Sequence, residues 1–333
     1  MAITPGVPEH PPERVPPTGG RPPLRLTARS PEDLLALAPV LLGFWPEQSV
    51  VMLTFGARRP FHARLDLPGR RADAAEVAEL FLEPARRHGV RGVVFLFYSE
   101  DVADAEPTWA ALRRGARRSG VAVLQALWAD ARRYRRLDRA QGEATAHGEA
   151  PVEYDVSSHP FVVQAMVEGR LPFRTRAEMV ASLRSDPTAV AAVEAALAGA
   201  GAPGAEPAPG QVAAWVRRQV GRAPSAATIA EVMPALGSPP SAPAEVALGQ
   251  ASGDADEERW LWAGVLPQVP ESHVPAVATL LGFAAWRAGD GAMAWAAVDR
   301  ARGVAPDDAG AARLAALLEM AVPPGRRGER SVV

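Results

Sequence analysis

The sequence predicts a layered α/β fold: a mixed β-sheet with flanking helices, followed by an α-helical C-terminal region. Three observations carry that expectation. Residues 93–98 (VVFLFY) form an unbroken apolar run, as in a strand covered on both faces. Amphipathic helical patterns precede and follow that run, and a second apolar segment at 121–128 completes a β-α-β alternation. From Pro160 onward the pattern turns helical.

Taken in order, residues 1–23 carry eight prolines and almost nothing to bury, which predicts a disordered arm. Order is expected from Leu24. Ser30, then Pro31 at the first helical position and Asp33 three residues on, marks a helix start; Leu34, Leu35, Leu37, Leu41 and Leu42 supply its buried stripe and Gly43 ends it. Ser49–Phe55 and 61–67 flank a polar stretch at 56–60 and predict a hairpin, which makes the sheet mixed. In its second strand Phe61, Ala63, Leu65 and Leu67 share one face, and His62, Arg64 and Asp66 the other. A helix is expected at 72–88, the central strand at 93–98, a helix near 105–118 and a strand at 121–128. The polar stretch 141–155 suggests an excursion or lid.

Thr175 and Glu178 form a capping box, and Asp186 with Pro187 starts an Ala-rich helix ending near Ala198. Residues 199–210 and 234–256 are rich in Gly, Ala, Pro and Ser. The first reads as a linker between an α/β domain at 24–198 and a helical region at 211–322; the second reads as a flexible loop. Residues 323–333 are expected to be a disordered tail. Within 275–308, the spacing of Leu281, Gly282, Ala285, Gly289, Ala294, Val298, Ala301 and Pro306 follows the tetratricopeptide pattern over one unit. It predicts two closely packed helices with a Gly289-Asp290 turn and a third helix at 309–321.

Composition removes several chemistries. Without Cys there is no disulfide framework, thiol nucleophile or cysteine zinc site, and without Lys there is no Schiff-base or Walker-type lysine. Asn is also missing and Ile occurs only at Ile3 and Ile229, the signature of a GC-rich, actinobacterial genome. A formal net charge of -2 gives no global attraction to nucleic acid or an anionic membrane. The apolar stretch 34–45 is too short to cross a bilayer, and the expected location is cytoplasmic, with no membrane partner.

Candidate chemistry is sparse. Gly199, Gly201 and Gly204 match a dinucleotide-binding spacing but follow a helix where that motif needs a strand, so they read as linker. Six histidines show no metal-ligand spacing, and no metal or cofactor is expected. Asp155 and His159 lie four apart beside Ser157 and Ser158, an arrangement that reads as a helix N-cap before it reads as an acid–base pair. Nine arginines between 113 and 139 face only Asp130 and Asp138; Arg132, Arg133, Arg135 and Arg136 are the candidate anion-binding group, with a solvated surface as the alternative. The most site-like polar set is Ser49, Arg64, Asp66 and Tyr98, which strand ends bring toward one cleft; Arg64 and Asp66 also fit a simple cross-sheet ion pair.

Three segments, 41–49 (LLGFWPEQS), 63–68 (ARLDLP) and 285–294 (AWRAGDGAMA), together resemble the actinobacterial family called domain of unknown function 4192 over about residues 24–322. Where members carry a Gly-, Arg- and Trp-rich segment, this chain has Ala131-Arg-Arg-Tyr-Arg-Arg136. The resemblance implies a class and no mechanism. The reading favoured by the sequence is a non-catalytic protein- or ligand-binding module. Its alternatives are an enzyme, hydrolase or nucleotide-handling, with Ser49, Arg64, Asp66 and Tyr98 in a strand-end cleft, and a nucleic-acid binder using the basic surface at 113–139.

Overall fold

The computed structural model describes residues 26–57, 61–138, 150–168, 172–199, 210–236 and 254–324. The expected N-terminal arm, most of the 199–210 linker and nearly all of the C-terminal tail lie outside these residues.

Six strands form one mixed sheet: β1 (Ser49–Phe55), β2 (His62–Asp66), β3 (Gly92–Tyr98), β4 (Ala122–Ala129), β5 (Arg133–Arg136) and β6 (Val152–Glu153). Their spatial order is β2-β1-β3-β4-β5-β6. Of the strand pairs among the described residues only β3–β4 is parallel, and a helical crossover joins it. The hairpin β1–β2 and the β1–β3 pairing are antiparallel, as are β4–β5 and β5–β6. Every residue of β3 is buried, which is why its sequence shows no alternation.

On one face, Val50, Met52, Phe95, Phe97 and Trp128 pack against α2 (Ala74–Arg87) and α3 (Val102–Ser119) through Phe81, Leu82, Trp109 and Leu112. α3 begins at a side-chain cap from Asp101 and ends at the left-handed Gly120. On the other face, Val51, Leu53, Leu96 and Leu127 join one buried cluster with α1 (Pro31–Leu42) and with the helical region. That region comprises α4 (Pro160–Val167), α5 (Arg176–Ala181), α6 (Pro187–Gly199), α7 (Gln211–Gln219), α8 (Ala226–Leu236), α9 (Ala255–Val265), α10 (Val274–Ala288), α11 (Gly291–Arg302) and α12 (Ala309–Glu319). No helix among the described residues is long and apolar enough to cross a membrane.

α1 starts as a full capping box: Ser30 Oγ accepts from the Asp33 N–H while Asp33 accepts from the Ser30 N–H. α10 is buried along most of its length, and α11 and α12 pack on it. Gly282 permits the close approach, since a Cβ there would lie 2.3 Å from Leu314 Cδ2. Gly289 ends α10 in the left-handed region at φ 82°, and the Asp290 side chain caps α11 at the Met293 N–H.

Two strands were not expected and one boundary moves. β5 lies in the arginine-rich segment read as an anion-binding group or a solvated surface, and went unseen because only one of its residues, Tyr134, is buried and no apolar alternation marks it. β6 and Tyr154 bring the end of the 141–155 excursion back onto the sheet, while residues 139–149 lie outside those described. The expected loop from 234 begins later: α8 runs through Pro234 to Leu236, since burial of Val232, Met233 and Leu236 holds its last turn in place.

Candidate functional site

The antiparallel pairings of β1 place the start of β1, the end of β2 and the carboxyl end of β3 at one edge of the sheet. Ser49 stands opposite Asp66 on one side and Tyr98 on the other. Facing residues in a ladder point to the same face, so Ser49, Asp66 and Tyr98 share with Val51 and, opposite it, Arg64 the face that packs on α1 and the helical region. The four residues singled out in the sequence are therefore neighbours. The same edge is the carboxyl end of the one parallel pair, where α/β sheets hold ligands.

Arg64 organises this end. Its Nη2 lies 2.6 Å from Asp66 Oδ1 and donates to the Glu47 carbonyl at 3.2 Å, and its guanidinium lies over the Phe44 ring, 5.8 Å from the centroid. To reach Glu47 from β2 the side chain must lean past Ser49. The Arg64 side chain is 13% exposed whereas that of Asp66 is 78% exposed, so the ion pair runs from a covered cation to a solvated anion. Burial lowers the Arg64 pKa; Asp66 opposes that shift and the positive charge of Arg176 adds to it.

Three polar atoms here are buried and have no hydrogen-bond partner among the described residues: Ser49 Oγ, Arg64 Nε and Tyr98 OH. Among the described residues no general base is hydrogen-bonded to Ser49. Burial, reinforced by Tyr154, pushes the Tyr98 phenol well above its ordinary range, which keeps it protonated. All three tyrosines of the chain gather at this edge. The Tyr134 and Tyr154 rings meet edge to face at 5.8 Å, Tyr134 OH donates to Glu32 of α1, and Tyr154 OH donates to the Asp130 carbonyl. Burial and the nearby Asp130 push Tyr154 up to about 12.

The loop between α1 and β1 frames the site. Gly43 is left-handed at φ 74°, and Gln48, a non-glycine, sits at φ 39°, a costly conformation for a residue with a Cβ. Phe44 bridges to Phe173: the Trp45 N–H donates to the Phe173 carbonyl at 3.0 Å, and the Phe173 N–H donates to the Gly43 carbonyl at 2.8 Å. This lays the lead-in to α5, and with it Arg176, alongside the loop. A Cβ on Gly43 would lie 3.7 Å from Asp290 Oδ2. Asp290 is itself held by Arg259, whose Nη1 is 3.2 Å away and whose Nη2 reaches Asp256 at 3.2 Å. Thus the segments 41–49, 63–68 and 285–294, far apart in the chain, meet in one region.

Other candidates fall elsewhere. His159 caps α4 at the Phe161 N–H and pairs with Asp33 of α1 at 3.0 Å, while Asp155 accepts from the Ser157 N–H, so the segment is the helix N-cap the sequence favoured and the alternative Asp155–His159 pair does not form. Strand alternation divides the arginine group. Arg136 shares a face with Tyr134, and Arg133 and Arg135 take the other. Arg133 pairs with Asp130 at 3.0 Å and Arg136 with Asp138 at 3.1 Å. No group of three or more His, Cys, Asp or Glu able to hold a metal occurs among the described residues. The loop carbonyl of Glu47 and the approach of Arg176 had no readable signal in sequence, because both depend on the Phe44–Phe173 bridge.

The fold and this edge define an α/β sheet protein with an embedded helical layer and a polar cluster at its strand ends. The chain belongs to the domain of unknown function family DUF4192, whose family model matches residues 31–325. No curated protein and no solved structure matches it.

Proposed function

We propose that the chain is a ligand-binding module, cytoplasmic and of actinobacterial origin, whose site is the strand-end cluster of Ser49, Arg64 and Tyr98, with Asp66 at its rim. The observation that carries this reading is the set of three buried polar atoms without partners, side by side at the carboxyl end of the parallel pair. Each unsatisfied buried group costs about 1–3 kcal/mol, so three gathered at one strand end call for a partner that the protein chain does not supply. The placement beneath a helical layer favours a small molecule over a protein surface. In this reading the tetratricopeptide-like hairpin at 275–308 is a wall behind the site, since α10 is buried along most of its length. The arginines 132, 133, 135 and 136, divided between two faces, lend no comparable support to nucleic-acid binding.

The test is a thermal-shift screen of a small-metabolite panel on the full chain, repeated on Ser49→Ala and Tyr98→Phe. A ligand that stabilises the wild type saturably and loses affinity in both variants supports the reading; a panel whose binders are all indifferent to both variants overturns it. The same samples report turnover, which would move the assignment to an enzyme.

A further inference from the structure

Resting on that reading, we propose that the ligand carries an oxyanion, a carboxylate or a phosphate, and that this charged end is held between Arg64 and Arg176. The argument begins with what the cluster offers. Arg64 Nε–H can only donate, and the Ser49 and Tyr98 hydroxyls each have a proton to give. A partner that satisfies all three at once is rich in acceptor oxygens. Arg64 cannot lose its proton, and its planar fork matches a carboxylate or phosphate better than any other side chain does.

Charge points the same way. One corner of the guanidinium is committed to Asp66 and the Glu47 carbonyl, but the Asp66 side chain is mostly solvated, so water screens the neutralisation it provides. Arg176 approaches from α5 because the Phe44–Phe173 bridge holds the lead-in to that helix against the loop. Its ion pair to Asp299 on α11 is 3.9 Å long with both side chains substantially exposed. The two guanidinium groups feel one another, and the presence of Arg176 disfavours the charge on Arg64. The Phe44–Phe173 bridge brings the start of α5 to the Arg64 end of the sheet, where two unsatisfied hydroxyls and the Arg64 Nε–H are all relieved by one anion. The Phe44 ring lies 5.8 Å from the guanidinium carbon of Arg64, and the Nε–H of the same group is buried without a partner among the described residues.

The experiment is calorimetry and thermal shift on the full chain with sodium phosphate, sodium acetate and, as a neutral control, glycerol, at constant ionic strength set with chloride. The expected result is saturable binding of one oxyanion, weakened tenfold or more in Arg64→Lys, which keeps the charge and loses the Nε–H fork, and threefold or more in Arg176→Gln. Arg176 is partly exposed, so its variant tests the idea even if the Arg64 variant fails to fold. Binding of phosphate alone assigns a phosphate group; binding of acetate alone assigns a carboxylate. Neither oxyanion binding beyond chloride, or binding indifferent to both variants, overturns the proposal. If neutral members of the metabolite panel bind in a way that Ser49→Ala and Tyr98→Phe weaken while the oxyanions do nothing, the charge assignment fails and the site stands. If no panel member depends on those two residues either, both readings fall.

Discussion

Ser49 stands directly opposite Tyr98 in the β1–β3 ladder, and neither hydroxyl has a hydrogen-bond partner among the described residues. Deleting a buried group that makes no bond removes its desolvation cost and leaves the apolar contacts in place. Tyr98→Phe and Ser49→Ala should therefore each raise stability by up to about 1 kcal/mol in ligand-free protein while weakening ligand binding. Denaturant midpoints at unchanged slope read the first effect; a loss of more than about 1 kcal/mol would show that the hydroxyl is bonded in solution.

Arg259 and Asp290 form a largely covered pair, each side chain 12% exposed. Arg259→Met leaves the carboxylate without its cation and should cost about 3–5 kcal/mol at neutral pH, whereas Asp290→Asn keeps the α11 cap at Met293 and should cost far less. Burial raises the Asp290 pKa and Arg259 only partly opposes that. The folded state then holds the proton more tightly than the unfolded one, so this group's contribution to stability falls as pH rises from the ordinary aspartate range through the raised value. In Arg259→Met the window widens, and unfolding midpoints across acid to neutral pH should show stability recovered in acid.

Asp33 behaves in the opposite sense. Its pKa is lowered by the Arg29 N–H first, then by the Ser30 N–H and His159, against a contribution from burial. Stability from this carboxylate is present above the ordinary aspartate range and is lost as pH falls through the lowered value. Asp33→Asn should cost about 1 kcal/mol near neutrality and flatten the acid limb of the stability curve, read from chemical denaturation in a pH series.

Gly282→Ala should destabilise by about 1–3 kcal/mol, because the new Cβ meets Leu314 Cδ2 at 2.3 Å in a filled helix interface. Leu314→Val in the same chain removes the obstructing carbon and should recover part of the loss. Thermal unfolding of the single and double variants tests the coupling; additive losses would place the strain elsewhere.

Much of the fold was legible because its signals are local. The Ser30-Pro31-Asp33 capping box and the apolar run at 93–98 declare their elements within a few residues. β5 was not legible: three of its four residues are Arg, and its strand character comes from pairing with Leu127, Trp128 and Ala129. At the site, period-2 alternation put Arg64 and Asp66 on one face, and strand-end reasoning added Ser49 and Tyr98. What sequence could not supply was the closure of the site by Phe44 on Phe173, Arg176 and Asp290, since those contacts join residues more than a hundred positions apart. His159 illustrates the same limit. Its place as the cap of α4 was legible from the Ser-Ser-His-Pro segment, but its pairing with Asp33 on another helix was not.

The buried cluster that joins Val51, Leu53 and Leu96 to Val277, Leu281 and Ala297 has a consequence for how the chain is made. A ribosome releases α1 and the sheet strands well before α10 and α11 emerge, so α1 can cover its part of this face early while the share of the cluster that the C-terminal helices supply is filled last. The first half can acquire its strands, the α2–α3 layer and α1 early, but the cluster that joins the two halves is completed only when the chain is nearly finished.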